Sequence, residues 1–313
     1  MRLIRLCAGV AVAALLCACA GSPGGSGVAA PGYAPSLKGA LGVRPAAGQS
    51  LLYVADQFNQ RIAIFSQGGG GNPAPIGQIT SGIAGPDGLF VDRNGTLYVC
   101  NFGAGTVTEY PVGQTVPSKT LTGTIGPKYV TAGNDGTVYV SDFANGSNGK
   151  VYEYAGGSTT PTASISITPY PAGIALDSHN RLYVAYGDSA HSDLEVLRFA
   201  PGKTRGKNLG IHQKYGNPGG MTIDNHQDLV IADQAFAQVD IFPPGATLPS
   251  KQIGGFNLAY QIALNKADTR LWVSDPFGPS VQQVTYPGGT KTQSRSNSLS
   301  GAFGVATSPA GAH

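Results

Sequence analysis

Leu52-Tyr53-Val54-Ala55-Asp56 has five relatives further along the chain. They are Leu97-Tyr98-Val99-Cys100-Asn101, Val138-Tyr139-Val140-Ser141-Asp142, Leu182-Tyr183-Val184-Ala185-Tyr186, Leu229-Val230-Ile231-Ala232-Asp233 and Leu271-Trp272-Val273-Ser274-Asp275. Their first residues are 45, 41, 44, 47 and 42 positions apart. Short β-branched and aromatic runs repeated at such a period mark four-stranded units arrayed round a ring, so the expected fold is all-β, a six-bladed β-propeller.

The residues around each pentapeptide supply the rest of a blade. Before it stands a short apolar run: Pro86-Asp87-Gly88-Leu89-Phe90-Val91, Pro127-Lys128-Tyr129-Val130-Thr131-Ala132, Ala172-Gly173-Ile174-Ala175-Leu176, Gly219-Gly220-Met221-Thr222-Ile223 and Tyr260-Gln261-Ile262-Ala263-Leu264. Such runs suit a crowded innermost strand, and Asn94-Gly95 or Asp135-Gly136 supply tight turns to the next strand. After the pentapeptide a third strand ends in an aromatic residue (Phe65, Tyr110, Tyr154, Phe199, Phe242, Tyr286). Weak polar outer strands are expected near Ile76–Thr80, Lys119–Thr122, Ala163–Ile167, Lys207–Gly210 and Lys251–Ile253. Ala302–Pro309 repeats the inner-strand pattern with nothing after it, so it is expected to complete the first blade and close the ring. Gly39–Pro45 has the same look and competes for that role.

Composition agrees with one closed array. The 313 residues include 46 Gly and 22 Pro, as many short strands need, and 41% hydrophobic residues, enough for a core. The N-terminus carries Arg2 and Arg5, an apolar run from Leu6 to Leu16, and then Leu16-Cys17-Ala18-Cys19. The run is too short to span a bilayer and reads as an export signal, residues 1–18. Leu16-x-Ala18-Cys19 resembles the bacterial lipobox, which implies lipidation of Cys19 as the first mature residue. Ala20, in place of Asp, implies an outer-membrane address facing the periplasm or the cell surface. Residues 19–38, rich in Gly, Ser, Pro and Ala, read as a flexible tether, with a single domain over 39–313. Loss of the signal leaves 18 basic against 17 acidic side chains, with no basic stripe to attract nucleic acid. Cys100 then remains as a lone small residue with no disulfide partner.

Asp56-Gln57-Phe58-Asn59-Gln60-Arg61-Ile62 after Leu-Tyr-Val-Ala resembles the NHL-repeat blade, and Pro86-x-Gly88 resembles the start of that family's inner strand. Across residues 51–309 the resemblance implies a propeller. Asn101 and Tyr186 depart from the motif by replacing its final Asp.

Function is sought where blades differ. The Asp at 56, 142, 233 and 275 could ring a metal, but its recurrence suits a cap on the turn leaving the second strand. In a propeller the loop after the second strand and the loop into the inner strand share one face. The first carries Phe58, Phe102, Phe143, Tyr186, Phe236 and Phe277. The second adds Asp87, Lys128, Tyr129, Tyr170, Tyr215, Tyr260, Gln261 and Phe303. The expectation is an aromatic-lined mouth for a small ligand, glycan or protein, with packing of the rings between blades as the alternative. No cofactor is expected, the membrane is engaged through the lipid alone, and the chain is expected to be a monomer. The rival reading is a metal-assisted lactonase or lyase. Gluconolactonase-like propellers use a metal-bound Glu, yet Glu109, Glu153 and Glu195 all fall on or beside third strands. Lyase-like propellers rely on histidines, which leaves His191, His212, Asp87 and Asp188 as that reading's residues.

Overall fold

A computed structural model describes residues 49–308 except 144–148, 188–192, 215 and 279. The export signal, Cys19, the tether, the Gly39–Pro45 run, Asp188, His191 and Tyr215 lie outside the described residues. The chain divides into two units, Met1–Lys38 and Gly39–His313, and all described residues belong to the second.

Six four-stranded antiparallel sheets form a ring, each sheet one blade. Numbered from the blade of Leu51–Asp56, the inner strands are Ala302–Ser308, Pro86–Val91, Pro127–Ala132, Pro171–Leu176, Pro218–Ile223 and Ile262–Leu264. The second strands are Leu51–Asp56, Leu97–Asn101, Val138–Asp142, Leu182–Gly187, Leu229–Asp233 and Arg270–Asp275. Ala302–Ser308 pairs antiparallel with Leu51–Asp56, so the last strand of the chain closes the first blade.

The core is a set of layers between blades. Each seam has its own apolar cluster, such as Leu51, Tyr53 and Ile64 against Leu89, Val91 and Val99 between blades 1 and 2. One sheet cannot bury both of its faces alone, which is why the units must stack into a ring. The pentapeptides sit deep in these layers: Leu52, Val54, Val99, Val140, Val184, Ile231 and Val273 are inaccessible. The aromatic residues ending the third strands are buried as well, and Tyr110 and Tyr154 donate across seams to the carbonyls of Ser81 and Thr122.

The outer strand of blade 6, Lys291–Arg295, carries no apolar signal and is absent from the sequence expectation. Its reason for pairing lies in Arg295, whose side chain is fully buried over the Trp272 ring, 5.3 Å from its centroid. Its guanidinium donates to the carbonyls of Ser66, Gly68 and Gly71 in blade 1, bolting the closure seam.

Candidate functional site

Each second strand ends beside the start of its own inner strand, as in the pairings Pro86↔Asn101, Pro127↔Asp142 and Pro218↔Asp233. The two loop types therefore do share a face. At its start each of the four inner strands that begin with Pro carries a register shift, between Pro86 and Leu89, Pro127 and Tyr129, Pro171 and Ile174, and Pro218 and Met221. Proline removes a ladder donor and a bulge turns the next side chain out of the sheet, here toward the central channel.

The recurrent acid caps more than the expected turn. Asp56 accepts from the backbone amides of Ser300 and Gly301 at 2.9 and 3.2 Å, and Asp142 from Ile125 and Gly126 at 2.6 and 3.0 Å. Asn101, Asp233 and Asp275 take the amides of Ala84, Asn217 and Asn257. The common target is the loop entering the inner strand, because the two strand ends are paired neighbours; among the described residues Asp233 and Asp275 also accept amides of the turn that follows them, and Asp56 accepts from the Asn59 side chain in its own turn. These caps fix the mouth loops to the blades. Blade 4 breaks the pattern: Tyr186 donates its hydroxyl to the Glu195 carboxylate.

The position after each inner-strand proline, or its equivalent, forms a ring of Phe303, Asp87, Lys128, Ala172, Gly219 and Tyr260. The next position reads Gly304, Gly88, Tyr129, Gly173, Gly220 and Gln261. Glycine is required where it occurs: a Cβ on Gly304 or Gly88 would lie 2.0 or 2.1 Å from the carbonyl oxygen of Asp87 or Lys128. The two side chains in this second ring come from opposite blades, 3 and 6, and both close the throat. Gln261 accepts from the amides of Leu89 and Val305, each at 3.1 Å, and donates to the Leu89 carbonyl at 2.7 Å, so it ties three blades together. Tyr129 reaches the Tyr260 carbonyl at 3.4 Å. The small residue of the pentapeptide is Ser in these two blades alone, and its hydroxyl takes the amide of Tyr129 (Ser141, 3.1 Å) or Gln261 (Ser274, 2.9 Å). Beneath this plug lies a cavity of about 50 Å³ lined by inner strands, among them Ile174, Met221 and Val305.

The expected aromatic set divides by depth. Phe58, Phe102, Phe236 and Phe277 are 66%, 43%, 49% and 80% exposed around the mouth. Phe143, Tyr186 and Lys128 are half-buried. Tyr260 and Asp87 are buried, so Tyr260 is a structural member of the throat as much as a lining residue. Its hydroxyl donates to both Asp87 carboxylate oxygens, at 2.9 and 3.0 Å. Rings contact in two groups: Phe58 on Phe303 and Phe303 on Tyr260, with centroids 5.8 and 5.3 Å apart, and Phe143 on Tyr170, 4.6 Å apart. Burial pushes the Asp87 carboxyl up to about 6, partly opposed by the Lys128 charge and the Tyr260 hydrogen bond, while desolvation lowers the Lys128 ammonium. Burial also raises the Cys100 thiol well above its ordinary value, which removes thiolate reactivity.

His212, from the hydrolase reading, lies on the outermost strand of blade 4. It stands 3.3 Å from Asp193 and 3.6 Å from Glu195, away from the throat and apart from Asp87. His179 and His226 belong to the turns on the opposite face. Gln261 is already among the loop residues expected at the mouth, whereas Ser141 and Ser274 are legible only as exceptions among alanines.

No family model matches the sequence, and no curated protein matches it. Solved structures do resemble the fold. A chain of the nidogen/laminin complex is 14% identical with a TM-score of 0.62, covering 83% of this chain and 98% of that one. Kuenenia stuttgartiensis hydrazine synthase is 15% identical, TM-score 0.59, covering 81% and 80%. A functionally unknown protein from Desulfotomaculum acetoxidans is 16% identical, TM-score 0.60, covering 82% and 98%. At such identities the likeness is one of fold alone: the chain is a six-bladed β-propeller, and its structural neighbours include a protein complex and an enzyme.

Proposed function

We propose that this chain is an exported, lipid-anchored propeller of the bacterial envelope that binds a small ligand, glycan or protein partner at its aromatic mouth. The observation that carries the reading is the exposure of Phe58, Phe102, Phe236 and Phe277 at equivalent loops of one face. Large rings left in water at four equivalent places are an expense to a folded monomer and a resource to a binding surface. The nidogen/laminin complex supports the reading as an assembly of two proteins on a like fold, and the lipobox-like Leu16-Cys17-Ala18-Cys19 supports the anchor. The NHL-like first unit is consistent with a partner-binding propeller.

Two variants test it. Cys19→Ser is expected to move the protein from the membrane to the soluble fraction. In that unlipidated full chain, Phe58→Ala with Phe102→Ala is expected to leave the melting temperature within about 2 °C, because both rings are exposed. The same pair is expected to abolish saturation transfer from the protein to benzyl alcohol, a neutral aromatic probe. Retained transfer, or a collapsed fold, overturns the aromatic mouth as a binding surface.

A further inference from the structure

We propose that the mouth selects a ligand bearing a carboxylate or similarly compact oxyanion on an apolar body, with the Lys128 ammonium as the anion's partner. The inference rests on the mouth being the binding face.

Three features of the mouth point this way. Lys128 lies with its ammonium 5.3 Å from the Phe143 ring centroid and 5.4 Å from that of Tyr260. Among the described residues no oxygen accepts a hydrogen bond from it, and no carboxylate lies within ion-pair reach. Ring faces attract a cation, but they accept none of its three N–H donors as an oxygen does. The ammonium of this half-buried lysine, set against two rings, is therefore short of an acceptor.

The nearest anion is turned elsewhere. Asp87, on the adjacent blade, is 4% exposed and faces the Tyr260 hydroxyl with both oxygens. An incoming group reaches the partly exposed lysine before it reaches the aspartate.

The ring also leaves one side small. Blade 4, next to Lys128, and blade 5 beyond it present Ala172 and Gly219 where the other four blades present Phe303, Asp87, Lys128 and Tyr260. The half-buried Phe143 ring lies beside the lysine and packs on the half-buried Tyr170, so the two offer contact area to the apolar body. A lysine is a point charge without a fork, which fits a compact oxyanion and gives no bidentate preference.

The test compares benzoate with benzyl alcohol on the unlipidated full chain, by ligand-observed NMR titration. Benzoate is expected to bind about tenfold more tightly, the range of one charge-assisted hydrogen bond. Lys128→Met, which keeps an apolar stem between the rings, is expected to erase that difference. Asp87→Asn, which keeps an acceptor for the Tyr260 hydroxyl and removes the competing charge, is expected to widen it. Opposite responses from neighbouring blades are not what general loosening of the mouth produces. If Lys128→Met does not fold, the Asp87→Asn arm decides. Equal affinity for the two probes in the wild type, or an unchanged preference in either folded variant, overturns the anion site. Phe58- and Phe102-dependent binding of benzyl alcohol would then leave the mouth reading standing, whereas binding of neither probe would remove both.

Discussion

Asp240 offers a test of how this fold carries its buried charge, and the expected result is a stabilising mutation. Its side chain is fully buried in the third strand of blade 5, Gln238–Phe242. One oxygen accepts from the amides of Gln238 and Gln252 at 2.9 and 3.0 Å, while the other has no partner. Across the seam Gln213 borders the same carboxylate, and its carbonyl oxygen is also unpartnered. The Gln213 amide nitrogen is committed to Asp233 at 2.8 Å, which leaves the second Asp240 oxygen without a donor. Burial, reinforced by Asp233, pushes the Asp240 carboxyl up from 3.8 to about 6. The folded state holds the proton more tightly than the unfolded chain, so the stability this group contributes is complete below about pH 4 and is lost as the pH rises through about 6. The whole difference is about 3 kcal/mol.

Asp240→Asn keeps the oxygen that serves Gln238 and Gln252 and places an N–H₂ where the orphan oxygen stood. Shape is conserved, so no cavity forms. The variant is expected to be more stable than the wild type by about 2–3 kcal/mol at pH 8 and by little at pH 4. Urea unfolding at intervals of one pH unit measures this directly. An advantage that does not vary with pH, or a variant less stable at pH 8, refutes the account, since either would mean that the ionised carboxylate is held by something its visible partners do not supply.

Other expectations concern closure of the ring. Gln261→Leu should cost about 3 kcal/mol in chemical unfolding, because it orphans the Leu89 and Val305 amides and the Leu89 carbonyl; a loss under about 0.5 kcal/mol would deny that the glutamine ties blades 1, 2 and 6. Arg295→Met keeps the contact with Trp272 and removes the donors to Ser66, Gly68 and Gly71, so a cost of about 2–4 kcal/mol is expected. Hydrogen exchange should then rise first in blades 1 and 6, and uniform exchange would show that the seam is not held there.

The blades were legible because every unit solves the same problem. Strand alternation, the buried aromatic that ends each third strand and the acid that ends each pentapeptide recur, and recurrence is what a single sequence can display. Exceptions were harder to read. Ser141 and Ser274 read as two more small residues, and only the folded blades show that they hold the amides of Tyr129 and Gln261. The polar run Lys291–Arg295 gave no strand signal, because its stability comes from a guanidinium placed against blade 1, more than two hundred residues away. The capping acids are legible as turn caps, but their shared target, the loop entering the inner strand, lies across the strand pair and far away in sequence for Asp56.

By itself, then, the sequence determined the number of blades, the strands that build them and the face on which variable aromatic residues gather, since these follow from local periodicity and spacing. Depth was decided by tertiary structure alone. Phe58 and Tyr260 read alike as aromatic loop residues, yet one stands in solvent and the other is 6% exposed, fastened to Asp87. The difference arises because the inner strands converge on a channel whose glycines let neighbouring blades close to contact, and that convergence brings together residues such as Asp87 and Tyr260, 173 positions apart.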